Sequence, residues 1–298
     1  MEKQTGRILK LVGGFYYVDA GGGNLIECRA RGVFRKENIS PCVGDIADVE
    51  MTAGGKGYIM GIAPRKNELL RPPLANLDQL VFVCSAADPA PNLFVLDSMI
   101  AICEKKGIAP FIVFTKKDLA DLGSLVNIYR EAGFPVAEVC GITGEGTQTV
   151  LEALAGKISA FTGNSGAGKS TLLNAIDPRL GLATARISEK LGRGRHTTRH
   201  VELYRLENGG WAADTPGFSA MDYQRFEIIL KGELSDCFRE FAPFQGDCRF
   251  TGCSHTAEKG CAVRQALADG KISQSRYESY CAMYERAKNI KEWERKEL

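Results

Sequence analysis

The chain has 298 residues, 44% of them apolar and 25% charged, with a net charge of +2. That composition excludes a chain too polar to build cores, and its length suggests about two domains without excluding a third. Residues 1–10 hold no apolar run of signal-peptide length, and no later stretch approaches the ~20 apolar residues of a membrane span. A cytoplasmic protein with no membrane partner is therefore expected, with its ten cysteines as thiols and not disulfides.

In chain order, five β-rich runs come first: ILKLV, FYYVDA, LIECRA, DIADVEM and YIMGI, separated by GGG, SPCVGD and TAGGKG. Their lengths and spacing predict a small antiparallel barrel of OB type over residues 1–66, a scaffold that often binds nucleic acid. A second unit is expected from residue 67, and from Asn76 the texture changes. Apolar strand candidates (LDQLVFVCSA, APFIVFTKKD, PVAEVC, KISAFTG) alternate with helical patterns (LFVLDSMIAICEKKG, SLVNIYREAG, QTVLEALAG). Such alternation predicts a parallel sheet covered by helices, reaching to about residue 223. Residues 224–298 read as a helix-rich unit around a cysteine cluster. The expected fold class is thus multidomain α/β.

The run GNSGAGKST completes the spacing GxxxxGK[ST], with an apolar strand before it and a helix former run after it. Gly163, Gly166 and Gly168, with Asn164, Ser165 and Ala167 between them, turn backbone N–H groups toward phosphate oxygens. Lys169 supplies a cation for the β and γ phosphates, Ser170 a hydroxyl for Mg²⁺, and Thr171 continues into the helix whose dipole faces the anion. DTPG follows: Asp214 is placed for the Mg²⁺ shell and Gly217 for a γ-phosphate contact.

Upstream, a strand ends in TKKD, Thr115, Lys116, Lys117 and Asp118. Guanine presents N1–H and its 2-amine as two donors on one edge, which a single carboxylate, Asp118, accepts; adenine lacks that pair. Lys116 has a stem long enough to lie over the purine. A second strand ends in GITGEG, a partner loop for the guanine oxygen. All parts of a GTP pocket are present, but the base-reading tetrad precedes the phosphate loop. A pocket is specified by where strand ends lie in space, so joining old termini and cutting elsewhere preserves it. A circularly permuted GTPase domain is expected.

Cys248, Cys253, His255 and Cys261 form C-x₄-C-x-H-x₅-C. Three thiolates and one imidazole close a tetrahedral site with no open position, so one structural Zn²⁺ is expected. Cys28, Cys42, Cys84, Cys103, Cys237 and Cys281 read instead as small core hydrophobes or idle thiols.

TKKD ahead of GNSGAGKST, followed by GRGRHTTRH, DTPGF and the Cys-His cluster, resembles the ribosome small-subunit-dependent GTPase A family (RsgA, also called YjeQ) over nearly the whole chain. One departure stands out: the serine-alanine of such base loops is here Cys140-Gly141. The resemblance implies GTP hydrolysis in late maturation of the 30S subunit, stimulated by that subunit, with 16S rRNA as partner and the zinc unit helping to dock. No coiled-coil or apolar interface segment is evident, so a monomer is expected.

Hydrolysis needs an oriented water, and many GTPases use a Gln just after DxxG. Here that position is Phe218. His196 is the best replacement, lying in the basic stretch 190–200 (Lys190, Arg193, Arg195 and Arg199 with His196 and His200, and no acid) between phosphate loop and DTPG. Thr197 or Thr198 is placed to close on Mg²⁺.

Overall fold

The computed structural model describes residues 2–21, 23–32, 34, 39–70, 72–182, 201–215 and 228–290. β1 (Lys3–Val12), β2 (Phe15–Asp19), β3 (Leu25–Ala30), β4 (Ile46–Met51) and β5 (Gly57–Ile62) close into a barrel in the order β1-β2-β3-β5-β4. Closure requires one parallel contact, β3 on β5, among otherwise antiparallel pairs. Alternate residues face inward, and Ile8, Val18, Ile26, Cys28, Ala47, Val49 and Ile59 fill the interior. Gly57 is forced by that packing, since a Cβ there would lie 2.4 Å from Val49 and 2.9 Å from the Cys28 sulfur.

A short hairpin absent from the sequence expectation follows, β6 (Glu68–Leu70) with β7 (Pro73–Ala75). Arg65, just before it, donates to both oxygens of the fully buried Asp45 at 2.8 and 2.9 Å and so fastens the barrel's exit.

The central sheet contains β8 (Gln79–Ser85), β9 (Ala109–Thr115), β10 (Val136–Val139), β11 (Ile158–Thr162), β12 (Leu203–Arg205) and β13 (Trp211–Asp214). Their order is β10-β9-β8-β11-β13-β12, parallel except for β12. Burial on both faces explains the unbroken apolar runs. Leu80, Phe82, Ile112 and Phe114 face α1 (Leu93–Lys106) and α2 (Gly123–Glu131). Val81, Val83, Val113 and Phe161 face α3 (Thr147–Leu154) and α4 (Lys169–Ile176). α1 is bounded by Asn92, whose Oδ1 accepts from Val95 N at 3.2 Å, and by the left-handed Gly107 (φ 65°).

The chain runs outward from β8 through β9 to β10, then returns to place β11 on the other side of β8. The direction of winding reverses between β8 and β11, where open parallel sheets hold their ligands.

Beyond residue 228, two 3₁₀ turns (Ser235–Cys237 and Arg239–Phe241) lead to α5 (Ala242–Gln245), α6 (Ala262–Ala268) and α7 (Gln274–Ala287). This unit shares its core with α1: Phe238, Phe241, Val263 and Tyr280 are continuous with Ile100 and Cys103. Cys28, Cys42, Cys103 and Cys237 are buried, and burial pushes the Cys42 and Cys237 thiols up to about 12, which leaves them inert. At the other side, Lys10 of β1 meets Glu202 beside β12 at 2.8 Å. No described helix is long and apolar enough to cross a membrane.

Candidate nucleotide site and metal centre

The phosphate loop joins β11 to α4. Gly163 passes so close to β8 that a Cβ would sit 2.4 Å from the Val83 carbonyl oxygen, and Gly166 and Gly168 have φ of 81° and 87°. Larger residues at these points would displace the loop from the sheet or strain it. Gly168 offers no side-chain cap to α4, so the first helical N–H groups stay directed at the loop's hollow. Asn164, Ser165 and Gly166 are exposed, whereas Ala167 is buried.

Thr115 brings the base tetrad to this loop. The residue is 3% exposed, its hydroxyl donates to the Ala167 carbonyl at 2.6 Å, and Gly168 packs against the same side chain. Lys116 adopts a left-handed backbone (φ 58°) and its amine donates to the Asp88 carbonyl after β8. Lys117 pairs with Glu145 of the base loop, and that bond raises its pKa. The Asp118 carboxylate is exposed and takes no hydrogen bond or ion pair among the described residues. It is therefore available to a base edge.

The base loop closes on itself through Cys140 N–H to Glu145 O at 3.0 Å and Gly144 N–H to Cys140 O at 2.9 Å. A Cβ on Gly141 would lie 3.0 Å from the Thr171 methyl, so this loop touches the first turn of α4. Lys169 pairs with the Asp214 carboxylate and also donates to the Thr215 carbonyl. Thr215 in turn donates to Phe161 O at 2.6 Å. Thr115, Gly141, Ala167, Lys169 and Asp214, drawn from four strand ends, are thus linked around the phosphate loop at the carboxyl edge of the sheet. A cation and a carboxylate side by side there suit a phosphate–Mg²⁺ pair. His196, Thr197, Thr198, Gly217 and Phe218 lie outside the described residues.

The metal cluster also comes together. One ligand atom from each of Cys248, Cys253, His255 and Cys261 lies within 4.8 Å of the others. Cys248 Sγ is 4.0 Å from Cys261 Sγ, and His255 Nδ1 is 3.6 and 3.5 Å from those two sulfurs. Tetrahedral zinc with ordinary bond lengths has S···S edges of about 3.8 Å and S···N edges of about 3.6 Å, so the donors fit that ion. Burial lowers the His255 pKa, favouring the neutral ring that coordinates. α7 braces the loop: Tyr277 donates to His255 O at 2.9 Å and Tyr280 to Ser254 O at 2.7 Å.

Sequence reasoning did not foresee these tyrosines, the Lys117–Glu145 tie or the Thr115–Ala167 bond. Nor did it foresee that the N-terminal half of α1 (Val95, Leu96, Met99) shares a groove with Gly163 and Asn164. Apart from the helical spacing of Tyr277 and Tyr280, local sequence carries no signal for any of them.

Barrel, permuted sheet, nucleotide loops and Cys-His centre define a circularly permuted P-loop GTPase with a metal-stabilised C-terminal unit. The model of the RsgA GTPase family matches residues 62–224, and that of the RsgA N-terminal domain matches residues 5–59. The chain belongs to the RsgA GTPase family. It is 46% identical over 291 residues to the small ribosomal subunit biogenesis GTPase RsgA of Caldanaerobacter subterraneus subsp. tengcongensis, covering 97% of each chain. It is 46% identical to the protein of that name from a Geobacillus species, covering 96% of this chain and 98% of the other. Among solved structures, YjeQ from Thermotoga maritima matches with a TM-score of 0.80 at 32% identity, over 97% of this chain and all of the other. The circularly permuted GTPase YloQ matches with a TM-score of 0.79 at 35% identity, over 97% and 96% of the two chains.

Proposed function

We propose that this protein binds GTP in the hollow between β8, β9 and β11 and hydrolyses it during biogenesis of the small ribosomal subunit. The observation that carries this reading is the Thr115–Ala167 hydrogen bond, which sets the end of the base-reading strand against the phosphate loop. Asp118 reads guanine, and the Lys116 stem lies along the purine. The backbone from Gly163 to Gly168 and the Lys169 amine hold the phosphates. Ser170 and Asp214 would hold Mg²⁺, which would supply positive charge against the phosphates. Thr197 or Thr198 would close on that ion, Gly217 meets the γ-phosphate, and His196 orients the attacking water.

The partner in this reading is the 30S particle, contacted through its 16S rRNA. Supporting it are the relatives' names, the OB-type barrel and the basic stretch 190–200. The protein works as a cytoplasmic monomer, with functional units at about 1–66, 67–223 and 224–298. The test is GTP hydrolysis with purified 30S, with 50S and with neither, followed by single-turnover measurements on His196→Ala. Stimulation by 30S alone, lost in the variant while nucleotide affinity persists, is the expected result. Equal rates in all three conditions reject the partner, and unchanged stimulation in the variant removes His196 from the mechanism.

A further inference from the structure

Alternation along β2, β3 and β5 sends Val18, Ile26, Cys28 and Ile59 into the barrel core, which leaves Phe15, Tyr17, Glu27, Arg29 and Tyr58 on the outer face. Register then aligns three of them. Tyr16 lies opposite Cys28, which sets Phe15 beside Arg29, and Arg29 is the partner of Tyr58. The Arg29 guanidinium lies 4.6 Å from the Phe15 ring centroid, with Lys56 Nζ at 6.0 Å from the same ring. Arg29 is exposed, and Tyr58 is 45% exposed.

Charge pairing around this row is uneven. Glu27 takes Lys56 at 2.7 Å, and Glu50 faces Arg31 at 3.6 Å. Arg29 has no carboxylate partner among the described residues. An uncompensated planar cation stacked on the Phe15 ring, with the exposed Tyr58 ring as its neighbour in strand register, offers π faces and positive charge on one surface. That combination fits a chain of planar, electron-rich rings joined by anions, with the ring faces open. In a duplex those faces are stacked away, so an unpaired strand fits and a helix does not. Barrels of this topology carry oligonucleotides on the face of their second and third strands, where the row lies.

We propose that Phe15, Arg29 and Tyr58 form a stacking platform for unpaired nucleotides of an RNA strand. The inference rests on the RNA-partner reading above and names the contacting residues and the form of RNA.

The test measures binding of a labelled unstructured oligouridylate and of an equally long RNA duplex to the full chain, wild type and with Tyr58→Ser, Phe15→Ala, Arg29→Gln or Arg29→Lys. The unpaired strand should bind more tightly than the duplex. Each ring or Arg29→Gln substitution should weaken it at least about 5-fold. Arg29→Gln should also reduce the salt slope by about one. Arg29→Lys should weaken binding while keeping that slope, because it retains charge but loses the plane. An unaltered urea unfolding curve and far-UV spectrum, together with unaltered basal GTP turnover, show that each variant is folded, and the four substitutions give independent trials. Unchanged affinities, or a wild type that prefers duplex or binds neither RNA, overturn the platform. So does loss of co-sedimentation with 30S particles while oligouridylate binding persists, which assigns the row to a protein contact. Wild-type co-sedimentation with 30S reports separately on the partner: if it holds while the platform fails, only the inference falls.

Discussion

Arg276 on α7 donates to Asp97 on α1 at 2.7 Å, with both side chains 1% exposed and 179 positions apart. The same guanidinium reaches Glu240 at 2.7 and 3.2 Å and lies over Phe238 at 4.7 Å, while Tyr129 also donates to Asp97. One residue therefore fastens the metal-bearing unit to the helix that borders the phosphate loop. Arg276→Ala strands two carboxylates in a water-poor site and should lower unfolding stability by about 3–5 kcal/mol. Urea denaturation measures it, and a loss under about 1 kcal/mol shows that the pair is not what holds α7 on α1.

Asp118 offers its carboxylate to a base edge with no competing partner among the described residues. Asp118→Asn removes one acceptor of the guanine donor pair and aims an amide N–H at it. Two charge-assisted bonds at about 1.5–3 kcal/mol each predict a loss of GTP affinity of roughly 10²–10⁴-fold. Xanthosine triphosphate, which carries an oxygen in place of the 2-amine, should recover part of it. Competition against labelled GDP decides, and an unaltered GTP affinity removes Asp118 from base reading.

Zinc supplies folding energy to a segment whose regular structure around the ligands is short, from the four-residue α5 to the seven-residue α6. Purified protein should contain one zinc per chain. Cys253→Ser, or chelation, should release the ion and expose residues 246–261 to proteolysis, while GTP binding persists because the nucleotide loops lie on the sheet. Metal analysis with limited proteolysis tests this; an unchanged cleavage pattern after complete zinc loss contradicts it.

Glu258 gives that segment an acid sensitivity of its own. Burial raises its carboxyl, but hydrogen bonds led by Ser254, with N–H to Oε1 at 2.8 Å, outweigh burial and bring it from 4.5 down to about 2. A depressed carboxyl stabilises the fold above its unfolded value, and the contribution disappears as pH falls from about 4.5 toward 2. Glu258→Gln should therefore be less stable than wild type at neutral pH and converge with it across that window. Urea midpoints read at several pH values provide the check, and a difference independent of pH defeats the assignment.

Much of this architecture was legible because its signals are local. Gly163 and Gly168 are demanded by a turn within a few residues of the phosphate, and C-x₄-C-x-H-x₅-C by ligands that must converge on one ion. The runs QLVFVCS and APFIVFT read as buried strands because both faces of a parallel sheet are covered. β1 begins at Lys3, earlier than the apolar run suggests, because its first half is a polar strand paired to β4. The β6–β7 hairpin escaped notice: three-residue strands, one starting at Pro73, are too short to show alternation.

Sequence alone determined which chemistry this protein carries: a phosphate cradle, a carboxylate suited to guanine and a set of zinc donors, each encoded by spacing over a few residues. Tertiary structure decided how these parts meet. The Thr115–Ala167 bond, the Arg276–Asp97 pair and the Phe15–Arg29–Tyr58 row join residues from separate elements. The physical reason is that strand order and helix packing are set by burial summed over the whole core, and no short stretch of chain encodes that sum.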